Sequence, residues 1–133
     1  MKYISTEIAA AINKTMIETY SQGELIGVKE PKLLDSAINR PLATMFGKSL
    51  YEDIFEKTVA LFESIAKNHV FHNGNKRTAF ACMAYFLLIN GYVCVMNESR
   101  AADLTVDFVN GKIQFKEVVS EIKQHSYRKS INS

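Results

Sequence analysis

His69-Val-Phe-His-Asn-Gly-Asn-Lys-Arg-Thr-Ala79 joins two long helical patterns, and its charges are wrong for a mere connection. Lys76 and Arg77 fall in the first turn of a helix that the pattern carries to about residue 90. Unpaired N–H groups and the macrodipole make that end positive, so each cation there costs about 0.3–1 kcal/mol unless something negative binds. An anion is the missing partner. Gly74 lets the backbone approach a ligand, Asn75 is placed to cap the helix, and the free amides behind it complete a phosphate-sized concavity. Six residues before Asn75, His69 supplies the one side-chain type whose unperturbed pKa is near neutrality. Singly, an Asn-Gly turn, a helix-ending His and two solvated cations would each be unremarked; together they break local rules in a way that marks a site.

The run HVFHNGNKRTA resembles the Fic/Doc signature, which reads HPFxxGNGR in the adenylylating branch and HxFxxxNKR in the death-on-curing branch. Lys76 places the likeness in the second branch. An Ile4-Ser5 helix start and the Ala102-Asp-Leu-Thr105 segment extend it over nearly the whole chain. The implied fold is all-α: a bundle of about six helices around a buried central helix, with a short flap.

Working outward, Leu50, Ile54, Thr58, Leu61 and Ile65 outline a helix of about twenty residues that delivers His69 at its end. Phe71 reads as an aromatic anchor beneath the loop, its burial contributing about 1.5–3 kcal/mol. After the loop, 79–89 is apolar almost all round and predicts the central helix, stopped by Asn90-Gly91. Before it, Ser5 or Thr6 caps a first helix with Ile8, Ile12, Met16 and Tyr20 on its apolar stripe; 21–30 is a loop; Pro31 starts a short helix ending before Pro41. The resemblance assigns 41–48, otherwise an irregular surface segment, to the flap that holds a target chain. Tyr92 to Met96 is briefly extended, Asn97 or Ser99 caps a helix to about 110, and an amphipathic helix with Phe115, Val118, Val119 and Ile122 follows. A polar tail, 127–133, is expected to fray.

The 133 residues, 47% hydrophobic, make one domain, 1–133, with no repeat or low-complexity linker. A net charge of +2 with scattered Lys and Arg gives no general attraction to nucleic acid or to an anionic membrane. Cys82 and Cys94 lack CxxC spacing and read as reduced thiols, and the longest apolar run is too short to span a membrane, so a soluble cytoplasmic protein is expected. There is no Walker A sequence and no kinase-type glycine-rich loop. His69 and His72 lack the further ligands that zinc requires.

Phosphate chemistry therefore rests on the loop. His69 is the candidate base for a Ser, Thr or Tyr hydroxyl; Asn73, Gly74 and Asn75 with the helix start would hold phosphate oxygens; Lys76 and Arg77 would neutralise charge on the transferring group. The resemblance implies ATP as phosphoryl donor with Mg²⁺, a protein substrate that is a translation elongation factor, and inhibition in trans by a small antitoxin. Adenylyl transfer, in which Lys76 would be Gly, and a catalytically weak binding module are the alternatives. Where the family commonly has Asp or Glu to place the metal, this chain has Asn73, a weaker neutral oxygen donor. The (S/T)xxxE(G/N) segment by which Fic-type enzymes inhibit themselves is absent from the sequence. The expected antitoxin groove lies between the helix starting near Ser5 and the one ending at His69, with an acidic group offered to Arg77.

Overall fold

The structure, a computed structural model, describes residues 1–130. Among the described residues there are six helices: α1 Thr6–Tyr20, α2 Pro31–Asn39, α3 Ile54–Lys67, α4 Asn75–Ile89, α5 Glu98–Val109 and α6 Phe115–Gln124. Four short strands complete them as two antiparallel pairs, β1 Thr44–Met45 with β2 Lys48–Ser49 and β3 Tyr92–Cys94 with β4 Ser126–Arg128. The all-α expectation stands. No described helix is long and apolar enough to cross a membrane.

The central helix is α3 rather than α4, a correction to the sequence reading. Eleven of its fourteen residues are buried, against six of fifteen in α4, which leaves Tyr85 and Leu88 exposed. An apolar helix need not be a buried one, because composition counts side chains and not neighbours. α3 packs along α4 and also meets α2, α5 and α6. Phe62 of α3 sits edge-on to Phe80 at 6.1 Å and tilted to Phe108 at 5.8 Å, locking α4 and α5 to the same ring.

Capping explains the helix starts. Ser5 accepts from the Ile8 amide, Asp53 from Glu56 and Asn97 from Arg100. Because Asp53 sets the start of α3, that helix is shorter than periodicity suggested, and Leu50 lies outside it, 45% exposed, with its amide bonded to the Ala43 carbonyl. The apolar stripe of α1 is also displaced: the buried residues are Ala9, Asn13 and Ile17, while Ile8, Ile12 and Met16 line a surface cleft.

The segment 41–48 contains a hairpin, not an irregular loop. Phe46 (φ 52°) and Gly47 (φ 79°) both take left-handed backbone, the requirement of the two-residue turn that matches strand twist. The base of the hairpin is clamped: buried Lys57 of α3 donates to the Pro41 carbonyl at 2.9 Å, and Arg40 reaches Tyr51, Ser64 and Glu63 at 2.8–2.9 Å. Its tip is free, with Phe46 97% exposed.

The expected fraying from residue 127 is corrected as well. Ser126, Tyr127 and Arg128 pair with Cys94, Val93 and Tyr92, and the Lys129 amide donates to the Gly91 carbonyl at 2.7 Å. The partner strand β3 has an open edge, and pairing satisfies backbone groups on both sides. Residues 131–133 of that expected tail lie outside the described residues. Cys82 and Cys94 are free thiols, as the sequence reading expected. Burial pushes Cys82 up to about 12 and raises Cys94 despite a hydrogen bond with Ser126.

Candidate functional site

Helix α3 ends at Lys67, and one turn later His69 stands exposed with φ 51°. A non-glycine residue in the left-handed region is uncommon, and such backbone persists where its surroundings impose it. Here they do: Val70 and Phe71 on its C-terminal side are buried at 0% and 1%. Phe71 is thus the anchor that the sequence suggested. The His69 ring makes no hydrogen bond to the described residues, so both nitrogens face solvent or substrate.

Beyond Phe71 the loop is braced from two sides. On one side the 21–30 segment runs along it as a short antiparallel bridge, Val28 opposite Phe71, with Lys29 and Glu30 amides donating to the Val70 carbonyl and the His72 amide to the Gly27 carbonyl at 2.9–3.0 Å. Asn73 adds to this bracing, its Nδ2 donating to the Leu25 carbonyl at 3.1 Å. On the other side stands α1. Asn13, 1% exposed, donates Nδ2 to the Asn73 carbonyl at 2.9 Å and to the Thr78 hydroxyl oxygen at 3.0 Å. Its Oδ1 is left buried without a partner among the described residues, a penalty of about 1–3 kcal/mol that the fold tolerates at this junction.

One residue acts differently from its expected capping role. Asn75 does not cap α4; the N-cap is Gly74, and no side chain caps the helix. Instead, the Asn75 side chain closes a reciprocal pair with Phe71, accepting from its amide at 2.9 Å and donating to its carbonyl at 3.0 Å. This fixes the loop's curvature and leaves the amides of the first turn of α4 uncapped. Gly74 (φ 71°) is required by packing as well as by backbone: a Cβ there would lie 2.8 Å from the buried Ile17 Cδ1. Its lack of a side chain seats α4 on α1.

Lys76 and Arg77 are exposed in that first turn, and neither forms an ion pair among the described residues. The structure therefore brings uncapped amides and two unneutralised cations to one helix end, the arrangement that a phosphate group fits. Arg77 does have a neighbour: its guanidinium carbon lies 4.2 Å from the centre of the Tyr20 ring.

The donor set does not fit a protein-held magnesium ion. No cluster of three or more His, Cys, Asp or Glu side chains exists among the described residues, and Asn73, the one candidate, spends its amide group on Leu25 and offers a single neutral oxygen.

A cleft of about 700 Å³ opens beside this helix end and is lined by Met16, Tyr20, Lys76, Arg77, Phe80 and Glu98 among others. A shallower hollow of about 350 Å³, sharing Met16 and Ala81 with it, continues along Ile8, Ile12 and Tyr85. This apolar groove runs between α1, α4 and α5. Neither of these clefts lies between α1 and α3, where the antitoxin groove was expected, since α1 seats on α4. His69 lies outside the groove lining.

Sequence reasoning missed Asn13, Tyr20 and the bracing segment 25–30. Asn13 was legible as a polar residue at the same helical phase as Ala9 and Ile17, once that stripe rather than its neighbour is taken as buried. The pairing of Val28 with Phe71 left no local signal.

Comparison with known proteins agrees with this geometry. The model of the Fic/DOC family matches residues 3–87. The chain is similar to "Toxin Doc" of Mycolicibacterium smegmatis, 45% identical over 85 residues that cover 64% of this chain and 60% of that protein. It is also similar to "Protein kinase doc" of Escherichia phage P1, 32% identical over 124 residues, 93% of this chain and 95% of that one.

Proposed function

The chain belongs to the Fic/DOC family, and from that premise we propose that it is a Doc-type toxin that moves the γ-phosphoryl group of ATP to a hydroxyl of a protein. The observation that carries this reading is the start of α4, where uncapped amides and the free cations Lys76 and Arg77 await an anion, one braced loop away from an exposed His69. The relative from phage P1 is named a kinase and is matched over nearly its whole length. The M. smegmatis relative is named a toxin, and the alignment spans only 60% of it.

In the proposed reaction a His69 ring nitrogen takes the proton of a Ser, Thr or Tyr hydroxyl. The oxygen bonds to the γ-phosphorus as the bond from that phosphorus to the β,γ-bridging oxygen breaks, and ADP leaves with that oxygen. Gly74, Asn75 and the amides behind them hold phosphate oxygens, and Lys76 and Arg77 offset the charge that builds on the transferring group. Magnesium, where used, arrives on the ATP phosphates, since the chain offers it only Asn73. The protein substrate is a translation elongation factor by family resemblance, and the hairpin tip at Met45–Phe46 is the surface we assign to holding it.

Control comes from outside the chain. A small antitoxin, folding an amphipathic segment into the groove of Ile8, Ile12, Met16 and Tyr85 and placing a carboxylate at Lys76 and Arg77, would cover the anion site. Labelled ATP tests the proposal: γ-labelled, but not α-labelled, ATP should mark a lysate protein, and His69→Ala should lower the rate by at least about a hundredfold. Because His69 is exposed and unbonded, the variant should keep its fold. Transfer from α-labelled ATP would instead establish adenylylation, and an unchanged rate in His69→Ala would remove His69 as the base.

A further inference from the structure

The electrostatics of Arg77 pose a problem that the described residues solve in an unusual way. A guanidinium in the first turn of α4 is repelled by that helix's positive end and has no carboxylate partner there. Glu98 lines the same cleft and could have supplied one. Its carboxylate instead accepts a hydrogen bond from the Tyr20 hydroxyl at 3.3 Å, and the face of the Tyr20 ring lies 4.2 Å from Arg77 Cζ. Three helices meet at this point, with Tyr20 the last residue of α1, Arg77 in the first turn of α4 and Glu98 the first residue of α5.

The difference between a ring and a carboxylate matters here. A carboxylate would hold Arg77 by neutralising it, and a neutralised arginine has little to offer a phosphoryl group. An aromatic face holds the guanidinium plane through its quadrupole and leaves the full charge and the N–H fork available. We infer that Tyr20 is a positioning residue for Arg77: the ring, tethered to α5 through Glu98, orients the guanidinium toward the anion site without quenching it. The inference rests on the phosphoryl-transfer reading of that site.

Two substitutions separate the ring from the hydroxyl. Tyr20→Phe keeps the face and loses the tether to Glu98; Tyr20→Leu keeps bulk and loses the face. Tyr20 is 45% exposed, so neither change opens the core. In nuclear magnetic resonance spectra of the purified protein, the Arg77 Nε–Hε signal, assigned by its loss in Arg77→Lys, should be shifted upfield by the ring in the parent and in Tyr20→Phe, and should return to the free-arginine position in Tyr20→Leu. With γ-labelled ATP and lysate protein as substrate, Tyr20→Leu should lower the rate at saturating ATP by about three- to thirtyfold, with the KM for ATP within about threefold of the parent, while Tyr20→Phe stays near the parent. The inference is overturned if Tyr20→Leu matches Tyr20→Phe in the Arg77 signal or in rate, or if Tyr20→Phe loses as much as Tyr20→Leu. Should the parent itself transfer no phosphate, the phosphoryl-transfer reading fails, while the Arg77 signal still decides whether the ring holds the arginine.

Discussion

Replacing Gly74 by alanine tests how the candidate anion site is seated. Two penalties arise at one atom. Alanine in left-handed backbone (Gly74 has φ 71°) costs about 1–2 kcal/mol. The new methyl group would sit 2.8 Å from Cδ1 of the buried Ile17, so that side chain must turn aside within a packed core, and such overpacking costs about 1–3 kcal/mol. Alanine's lower freedom in the unfolded chain returns about 0.4–1 kcal/mol. The net loss is about 2–4 kcal/mol, a fall in melting temperature of roughly 6–15 °C for a domain of this size. Urea unfolding of Gly74→Ala, Ile17→Val and the double variant apportions it. Ile17→Val removes Cδ1 itself and costs about 0.5–1.5 kcal/mol alone. In the double variant the clash is gone, so the two changes should couple favourably by about 1–2 kcal/mol, well outside additivity. A neutral Gly74→Ala, or a double variant additive to within about 0.5 kcal/mol, would refute the packing account of Gly74.

Lys76→Gly removes a donor and clears the path of a nucleotide's phosphates; phosphoryl transfer should weaken at least about tenfold, with any adenylyl product seen by mass spectrometry of the target, and an unchanged rate would remove Lys76 from the chemistry. Acid should unfold the protein partly through Glu63: burial acts to raise its pKa, but hydrogen bonds from Lys67 and Arg40 outweigh this and hold it below the usual carboxylate range. A depressed folded pKa means that the stability it contributes is present above the unfolded value and is lost as pH falls through the folded one, so Glu63→Gln should be less stable at pH 7 and show a flatter loss below about pH 4.5. Equal acid slopes in parent and variant would contradict this. Ellman's reagent should leave Cys82, with its thiol pushed up to about 12 by burial, unlabelled in the native protein and label it on unfolding.

What the sequence made legible was local and periodic. The helix-turn at 69–77 could be found because its charges contradict the helix dipole, and the caps Ser5 and Asn97 obey a short-range rule. What stayed hidden was pairing between distant segments. No local pattern joins Val28 to Phe71 or Tyr127 to Val93, and hydropathy alone cannot say whether the apolar residues of α4 meet a core or a groove. The displaced stripe of α1 shows the same limit: Ile8, Ile12 and Met16 carry the stronger hydrophobic signal, yet the site needs polar Asn13 on the buried side to grip the loop.

The hairpin's division between a clamped base and an untouched tip has an evolutionary consequence. Lys57 and Arg40 hold the base through contacts to Pro41, Tyr51, Ser64 and Glu63, so mutations there are filtered by stability. At the tip, Met45 and Phe46 are 57% and 97% exposed, so any substitution that the left-handed backbone of Phe46 accepts alters little but the surface that is displayed. Selection can therefore drift the tip residues within that limit while the loop that carries His69, Lys76 and Arg77 stays fixed by Asn13, Asn75 and Gly74. A lineage built on this scaffold can change what its tip displays in single mutational steps without passing through an unfolded ancestor.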